Sequence, residues 1–224
     1  MRIACCQFNV TFADPRANLD RLLATLRQQK ELGVDLAVFP EAFLTGYCVR
    51  TKDDANQISL SDGGAAELGE ITQACQALGM HVVVGYASNE DGKLYNRAAL
   101  ISDTGSIDTY AKTHLPELGY DKFVEPGPDL PVFETKFGRI GLLICFDLRQ
   151  PEAARLLTLK GADLIVLPTN WPDGAQMAAE SISIVRAVEN RVFLATCNRV
   201  GSENGISFIG RSKIIDPLGN VLAA

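Results

Sequence analysis

The sequence predicts an α/β fold built on mixed sheets, and three observations carry that expectation. Apolar runs of strand length recur along the 224 residues, amphipathic helical stretches alternate with several of them, and tight turn signals join others directly. Strand–helix–strand order favours parallel pairing, whereas a very short turn can join only antiparallel neighbours.

The first run, residues 3–8, reads as a strand. Asp14 then stands as an N-cap, Pro15 suits the first helical position, and Leu19, Leu22, Leu23 and Leu26 share one face. The spacing predicts a helix over Pro15–Glu31 that stops at Gly33. A strand at 36–39, a helix over Ala65–Leu78 ending before Gly79, and strands at 81–87, 97–101 and 107–111 follow. Glu90-Asp91-Gly92 and Asp103-Thr104-Gly105 read as the hairpin turns among them. Further on come a strand at 139–145, a helix at 152–160 before Gly161, a strand at 164–167, a helix at 177–190, and strands at 192–196 and 207–216. No repeat or linker-like segment divides the chain, so residues 1–224 are expected to form a single domain.

Composition narrows the function. The chain is 47% hydrophobic with a net charge of -6 and a pI near 5.0, which disfavours nucleic acid or an anionic membrane as partner, since both attract basic patches. The N-terminus lacks the apolar core of about 7–15 residues that marks a signal peptide, and no apolar run nears the roughly 20 residues of a bilayer span. Four of the six cysteines, Cys5, Cys6, Cys145 and Cys197, lie in or at the ends of apolar runs, as free thiols do in a reducing compartment. A cytoplasmic protein is expected. With no CxxC pair and only His81 and His114 as histidines, neither a metal nor a cofactor is expected.

Several apolar runs end abruptly in functional side chains. LAVFP leads into Glu41, IDTYA into Lys112, GLLI into Cys145, and LIVLP into Thr169 and Asn170. Ligand crevices form outside the carboxyl ends of parallel strands, so neighbouring strands would bring these groups together. A thiol becomes a strong nucleophile as its thiolate, which needs a base or a cation nearby. Glu41 can be that base and Lys112 that cation. When the thiolate adds to a carbonyl, the ammonium and the backbone N–H of Phe146 can stabilise the oxyanion.

Singly, each residue has an ordinary alternative: Glu41 as a loop carboxylate or helix cap, Lys112 as a surface lysine, Cys145 as an inert core thiol. A papain-like pairing of Cys145 with His114 lacks a local protease signature, and His114 can simply orient a loop. His81, inside HVVVGYA, reads as a core or strand-edge residue. Phosphatase chemistry wants Cys-x5-Arg, but Arg149 follows at +4. Adjacent Cys5 and Cys6 in a strand point to opposite faces, which argues against a redox pair.

The segments FPEAFLTGY, AKTHLPE, GRIGLLICFDLRQPEAAR, DLIVLPTNWP and RAVENRVFLATCNRVG, in that order, resemble the nitrilase superfamily of carbon–nitrogen hydrolases from Arg2 to Leu222. The resemblance implies a four-layer αββα sandwich of two mixed sheets, with Glu41 as base, Lys112 as oxyanion stabiliser and Cys145 as nucleophile. It implies hydrolysis of a small carboxamide through a cysteine thioester, freeing a carboxylic acid and ammonia or an amine. Nitriles and N-carbamoyl amines would use the same triad, with Arg199 or Arg211 available for a carbamoyl substrate's carboxylate. A catalytically silent binding or regulatory protein on the same fold is the alternative of another class.

The family often adds a second glutamate near the triad; Asp121 is preferred over Glu117 for that place. Phe146 and Gln150 replace aromatic residues common in the family. By the same resemblance Asn170 and Trp171 line the pocket and Tyr47 borders it, while Arg149, Arg186, Glu189, Asn190 and Asn198 support it or an interface. A homodimer or higher homo-oligomer is implied, although the chain, ending at Ala224, looks short of the family's interface-crossing C-terminal segment.

Overall fold

The computed structural model describes residues 1–224. Strands β1 (Ile3–Cys5), β2 (Leu36–Val38) and β3 (His81–Glu90) lie parallel, and β4 (Lys93–Ile101) and β5 (Ile107–Ala111) extend that sheet antiparallel. In the second sheet β6 (Val132–Thr135) flanks β7 (Gly138–Leu142), which runs parallel to β8 (Leu164–Thr169) and β9 (Phe193–Asn198). A ribbon of β10 (Val200–Glu203) and β11 (Ile206–Ile209) stands apart. Strands β12 (Lys213–Ile215) and β13 (Val221–Ala223) complete the second sheet in the order β13-β12-β9-β8-β7-β6. The first sheet thus carries a parallel trio continued by two antiparallel strands, and the second repeats that plan with β6 added at its other edge, a topological repeat that the sequence itself does not display.

The layers follow from the two-residue period of the strands. In β2, Leu36 and Val38 join the core between the sheets, whereas Ala37 packs outward with helices α1 (Pro15–Glu31) and α3 (Ala65–Leu78). Val83 of β3 faces inward while Val82 and Val84 face the helices. Leu19, Leu22 and Leu26 of α1 are at most 1% exposed, and each contributes about 1.5–3 kcal/mol by leaving water. On the far side α4 (Pro151–Leu159) and α5 (Ser183–Asn190) cover the second sheet through Ala153, Ala154, Leu157 and Ala187. The result is the αββα sandwich.

The structure departs from the sequence reading in definite places. The run at 207–216 is two strands, because consecutive left-handed residues Gly210 (φ +64°) and Arg211 (φ +61°) carry the chain from the ribbon into the second sheet. β1 keeps only three residues of the run at 3–8, since its one neighbour, β2, is itself three residues long. β7 ends at Leu142, so Cys145 lies beyond the strand. Strands β6, β10 and β13 escaped notice, as did the short helix α2 (Lys52–Ile58), although Thr51 and Asp54 form its capping box. The helix expected at 177–190 opens with a π turn over Ala178–Ile182 before α5. The turn at Asp91 and Gly92 has positive φ at both residues, as a two-residue hairpin requires.

Candidate functional site

Glu41 lies three residues past the end of β2, after Phe39 and Pro40. It is fully buried, and the chain reverses immediately after it through Ala42 at φ +47°. Gly85 of β3 makes this possible: a Cβ there would lie 2.6 Å from Pro40 O, Glu41 Cα and Ala42 N, so only glycine lets the Glu41 backbone rest against the strand. Lys112, one residue past β5, is also fully buried.

Lys112 Nζ donates to Glu41 Oε1 at 2.7 Å and to Asp121 Oδ2 at 2.6 Å. Asn96 Nδ2, from β4, donates to Glu41 Oε1 at 2.8 Å and to Asp121 Oδ1 at 2.7 Å. Tyr47 OH donates to Asp121 Oδ2 at 2.9 Å. Burial lifts the Glu41 carboxyl above its ordinary value; Lys112 opposes the shift and Asp121 adds to it. For Lys112, burial pulls downward, but the charges of Asp121 and Glu41 outweigh it and hold the ammonium firmly charged. Glu41 Oε2 is left without a partner.

Cys145 opens a 3-10 turn over Cys145–Arg149 and takes the left-handed conformation, φ +45°, which costs a non-glycine residue roughly 1–2 kcal/mol. Asp147 holds this elbow. Its buried carboxylate accepts from Ile144 N at 2.9 Å, Tyr110 OH at 2.8 Å and His114 N at 3.0 Å, and pairs with His114 Nδ1 at 2.8 Å. The same carboxylate therefore ties the end of β5, with Lys112, to the turn that carries the thiol. Loss of hydration raises the Cys145 thiol well above its ordinary value, and Glu41 raises it further; Lys112 and the backbone N–H of Asn170 work the other way. The resting thiol is protonated, and a base has to take its proton before it can attack.

A cleft of 350 Å³ opens at Cys145. Tyr47, Leu118, Phe146 and Trp171 supply apolar walls, and Asn170, Arg149 and Asp173 supply polar ones. Asn198 fixes one wall by accepting from Trp171 N at 2.8 Å and donating to Trp171 O at 3.3 Å. Arg186 of α5 holds the Cys145–Arg149 turn from behind, donating to Leu148 O at 3.0 Å and Arg149 O at 3.3 Å.

The structure thus gathers Glu41, Lys112 and Asp121 into one hydrogen-bonded cluster, with Cys145 under the influence of their charges, and sets Phe146, Asn170, Trp171 and Tyr47 around the cleft. Glu117, by contrast, is exposed. Arg149 stands in the cleft wall rather than behind it. Arg199 cannot meet a substrate carboxylate, because it is fully buried against Glu203 at 2.5 Å. Arg211 lies in a separate depression beside Glu180. Sequence reasoning missed Asn96. Its signal was a polar residue among Leu94, Ala98 and Leu100, all of which strand alternation turns inward.

Several known proteins are similar to this chain over nearly its whole length. The family model described as carbon-nitrogen hydrolase matches residues 2–224. A nitrilase of Pyrococcus abyssi is 34% identical, the alignment covering 100% of this chain and 84% of that protein. The 2-oxoglutaramate amidase of Bacillus subtilis is 32% identical over 99% of this chain and 85% of that protein. The amidase from Nesterenkonia sp. AN1, solved as a cysteine-to-alanine mutant in complex with butyramide, superposes with a TM-score of 0.90 at 27% identity, covering 99% of this chain and 85% of that one. Another structure of that amidase shows covalent addition of the acetamide moiety of fluoroacetamide at the active-site cysteine.

Proposed function

The chain belongs to the carbon–nitrogen hydrolases, enzymes of carbon–nitrogen bonds other than peptide bonds, and from that premise we propose that it hydrolyses a small carboxamide through a thioester on Cys145. The observation that carries the reading is the division of labour on Glu41. Lys112 and Asn96 hold Oε1, while Oε2 has no partner and is free to take a proton.

Glu41 removes the Cys145 proton as the sulfur attacks the amide carbon, and the carbonyl electrons move onto oxygen. The Lys112 ammonium and the Phe146 backbone N–H meet the developing charge. As the C–N bond breaks, Glu41 returns the proton to nitrogen, so that ammonia leaves and a thioester remains. Glu41 then deprotonates a water that attacks the thioester; the acid departs and the thiol regains its proton. Asp121 keeps Lys112 charged throughout and keeps Glu41 a stronger base than a lone Lys112–Glu41 pair would allow.

The test is ammonia release from small carboxamides, N-carbamoyl amines and nitriles, comparing the parent with Cys145→Ala. Release from carboxamides by the parent alone is expected. Absence of release from every substrate, with no acyl adduct on Cys145 by intact mass, overturns the reading in favour of a binding protein on the same fold.

Two wider readings go with it. All six cysteines are free, which supports a reducing cytoplasmic setting; no helix is long and apolar enough to cross a membrane. A homodimer is supported by Leu156 and Leu159 on α4 and Val185 and Val188 on α5, 41–74% exposed on one outer layer, where a second copy would cover them. Sedimentation at micromolar concentration is expected to give twice the chain mass, and a monomer there refutes it.

A further inference from the structure

We propose that the Asn170 side-chain carboxamide holds the substrate's amide nitrogen and thereby selects carboxamides over nitriles at Cys145. This rests on the proposed function and deepens it, since the triad alone serves both substrate classes.

Asn170 follows β8 directly and is 1% exposed, and neither its Oδ1 nor its Nδ2 has a hydrogen-bond partner. It lines the same cleft as Cys145. Buried polar side chains nearly always find partners within the fold, and those next to it have done so. Thr169 Oγ1 donates to Asn198 Oδ1, and Trp171 is held on both its backbone N–H and its carbonyl by Asn198. Among the buried side chains of the site, Glu41 Oε2, Asn96 Oδ1 and both polar atoms of Asn170 remain unmatched, and of these only Asn170 lines the cleft.

A primary carboxamide brings one acceptor and two N–H donors. Its carbonyl oxygen is served by Lys112 and the Phe146 amide, which leaves its two N–H groups needing acceptors. Asn170 Oδ1 supplies one. The hydrogen bond also orients the nitrogen so that its lone pair meets the proton carried by Glu41 when the C–N bond breaks. A nitrile has no N–H to offer. Binding one leaves Asn170 Oδ1 buried and unmatched, and a site built to bond a substrate N–H discriminates against the analogue that lacks it.

The experiment alkylates Cys145 in the whole protein with 2-chloroacetamide or chloroacetonitrile and follows the adduct by intact mass and peptide mapping. In both reactions the sulfur–carbon bond forms, chloride leaves with the electrons of the carbon–chlorine bond, and the thiol proton passes to Glu41; only the first reagent carries the amide group. Asn170→Ala is expected to lower the ratio of the two rates, chloroacetamide over chloroacetonitrile, by about tenfold. It is likewise expected to lower kcat/KM for butyramide about tenfold while sparing hydrolysis of methyl butyrate. Asn170→Leu, which keeps bulk and removes both polar atoms, repeats the test if alanine unsettles the fold. A ratio unchanged within twofold, or an equal loss with both reagents, overturns the proposal. If the ratio falls although the parent hydrolyses no amide, Asn170 recognition stands and the hydrolase reading is what fails.

Discussion

Replacing Glu203 with alanine gives a perturbation whose size can be worked from the contacts around it. Glu203 pairs with Arg199 at 2.5 Å, and their side chains are 2% and 0% exposed. Its Oε1 also accepts from Tyr47 N at 2.7 Å and Cys48 N at 2.5 Å. Removing one member of a buried ion pair costs about 3–5 kcal/mol, because the other charge stays behind uncompensated. Each buried N–H left without an acceptor adds about 1–3 kcal/mol. These losses overlap, so about 5 kcal/mol is the expected total, against an overall stability of about 5–15 kcal/mol. Urea unfolding reads it: with m near 2 kcal/mol/M the midpoint falls by about 2.5 M. Glu203→Gln, which keeps an acceptor and loses only the charge, lies between parent and alanine. Arg199→Met with Glu203→Ala is less destabilised than Glu203→Ala alone, since no orphan charge remains. An alanine variant within about 1 kcal/mol of the parent refutes the reasoning.

Gly85→Ala places a methyl 2.6 Å from three backbone atoms of residues 40–42, so a stability loss of about 1–3 kcal/mol is expected together with at least about tenfold lower kcat for amide hydrolysis, as Glu41 is displaced; unchanged kcat would show that the strand can yield without moving the base. His114 is pushed above its ordinary pKa, first by its hydrogen bond to Asp147, against a smaller opposing effect of burial. A raised folded-state value means that the stabilisation is complete below the unfolded histidine pKa and disappears as pH rises through the folded one. His114→Gln is therefore expected to lower the melting temperature most at about pH 5 and progressively less above neutrality, by a modest amount because the ring is 34% exposed. A deficit that grows with pH would reverse the assignment.

Much of this protein was legible in one dimension. The helix Pro15–Glu31 matched its reading residue for residue, because capping, proline placement and leucine spacing are local signals. Glu41 and Lys112 stood out because each ends an apolar run shortly after its strand, a chemical discontinuity that needs no partner to be noticed. What the sequence could not carry was proximity. Asp121 and Glu117 are four residues apart in the chain, yet only Asp121 lies in a segment, Gly119–Phe123, that folds under Tyr47 and reaches Lys112. Asn96 joined the cluster because its register in β4 turns it inward, beneath strand ends that come from elsewhere in the chain. The two candidate arginines were settled the same way: Arg199 is consumed by a buried carboxylate four residues on, and Arg211 faces a different depression. Residue type and local pattern determine which side chains are capable of chemistry; sheet pairing and the packing of loops against it determine which of them meet. The first depends on neighbours a few residues away, the second on how segments are packed together, including ones far apart in the chain, as in Glu41 with Asn96, 55 residues apart, and Tyr47 with Glu203, 156 apart.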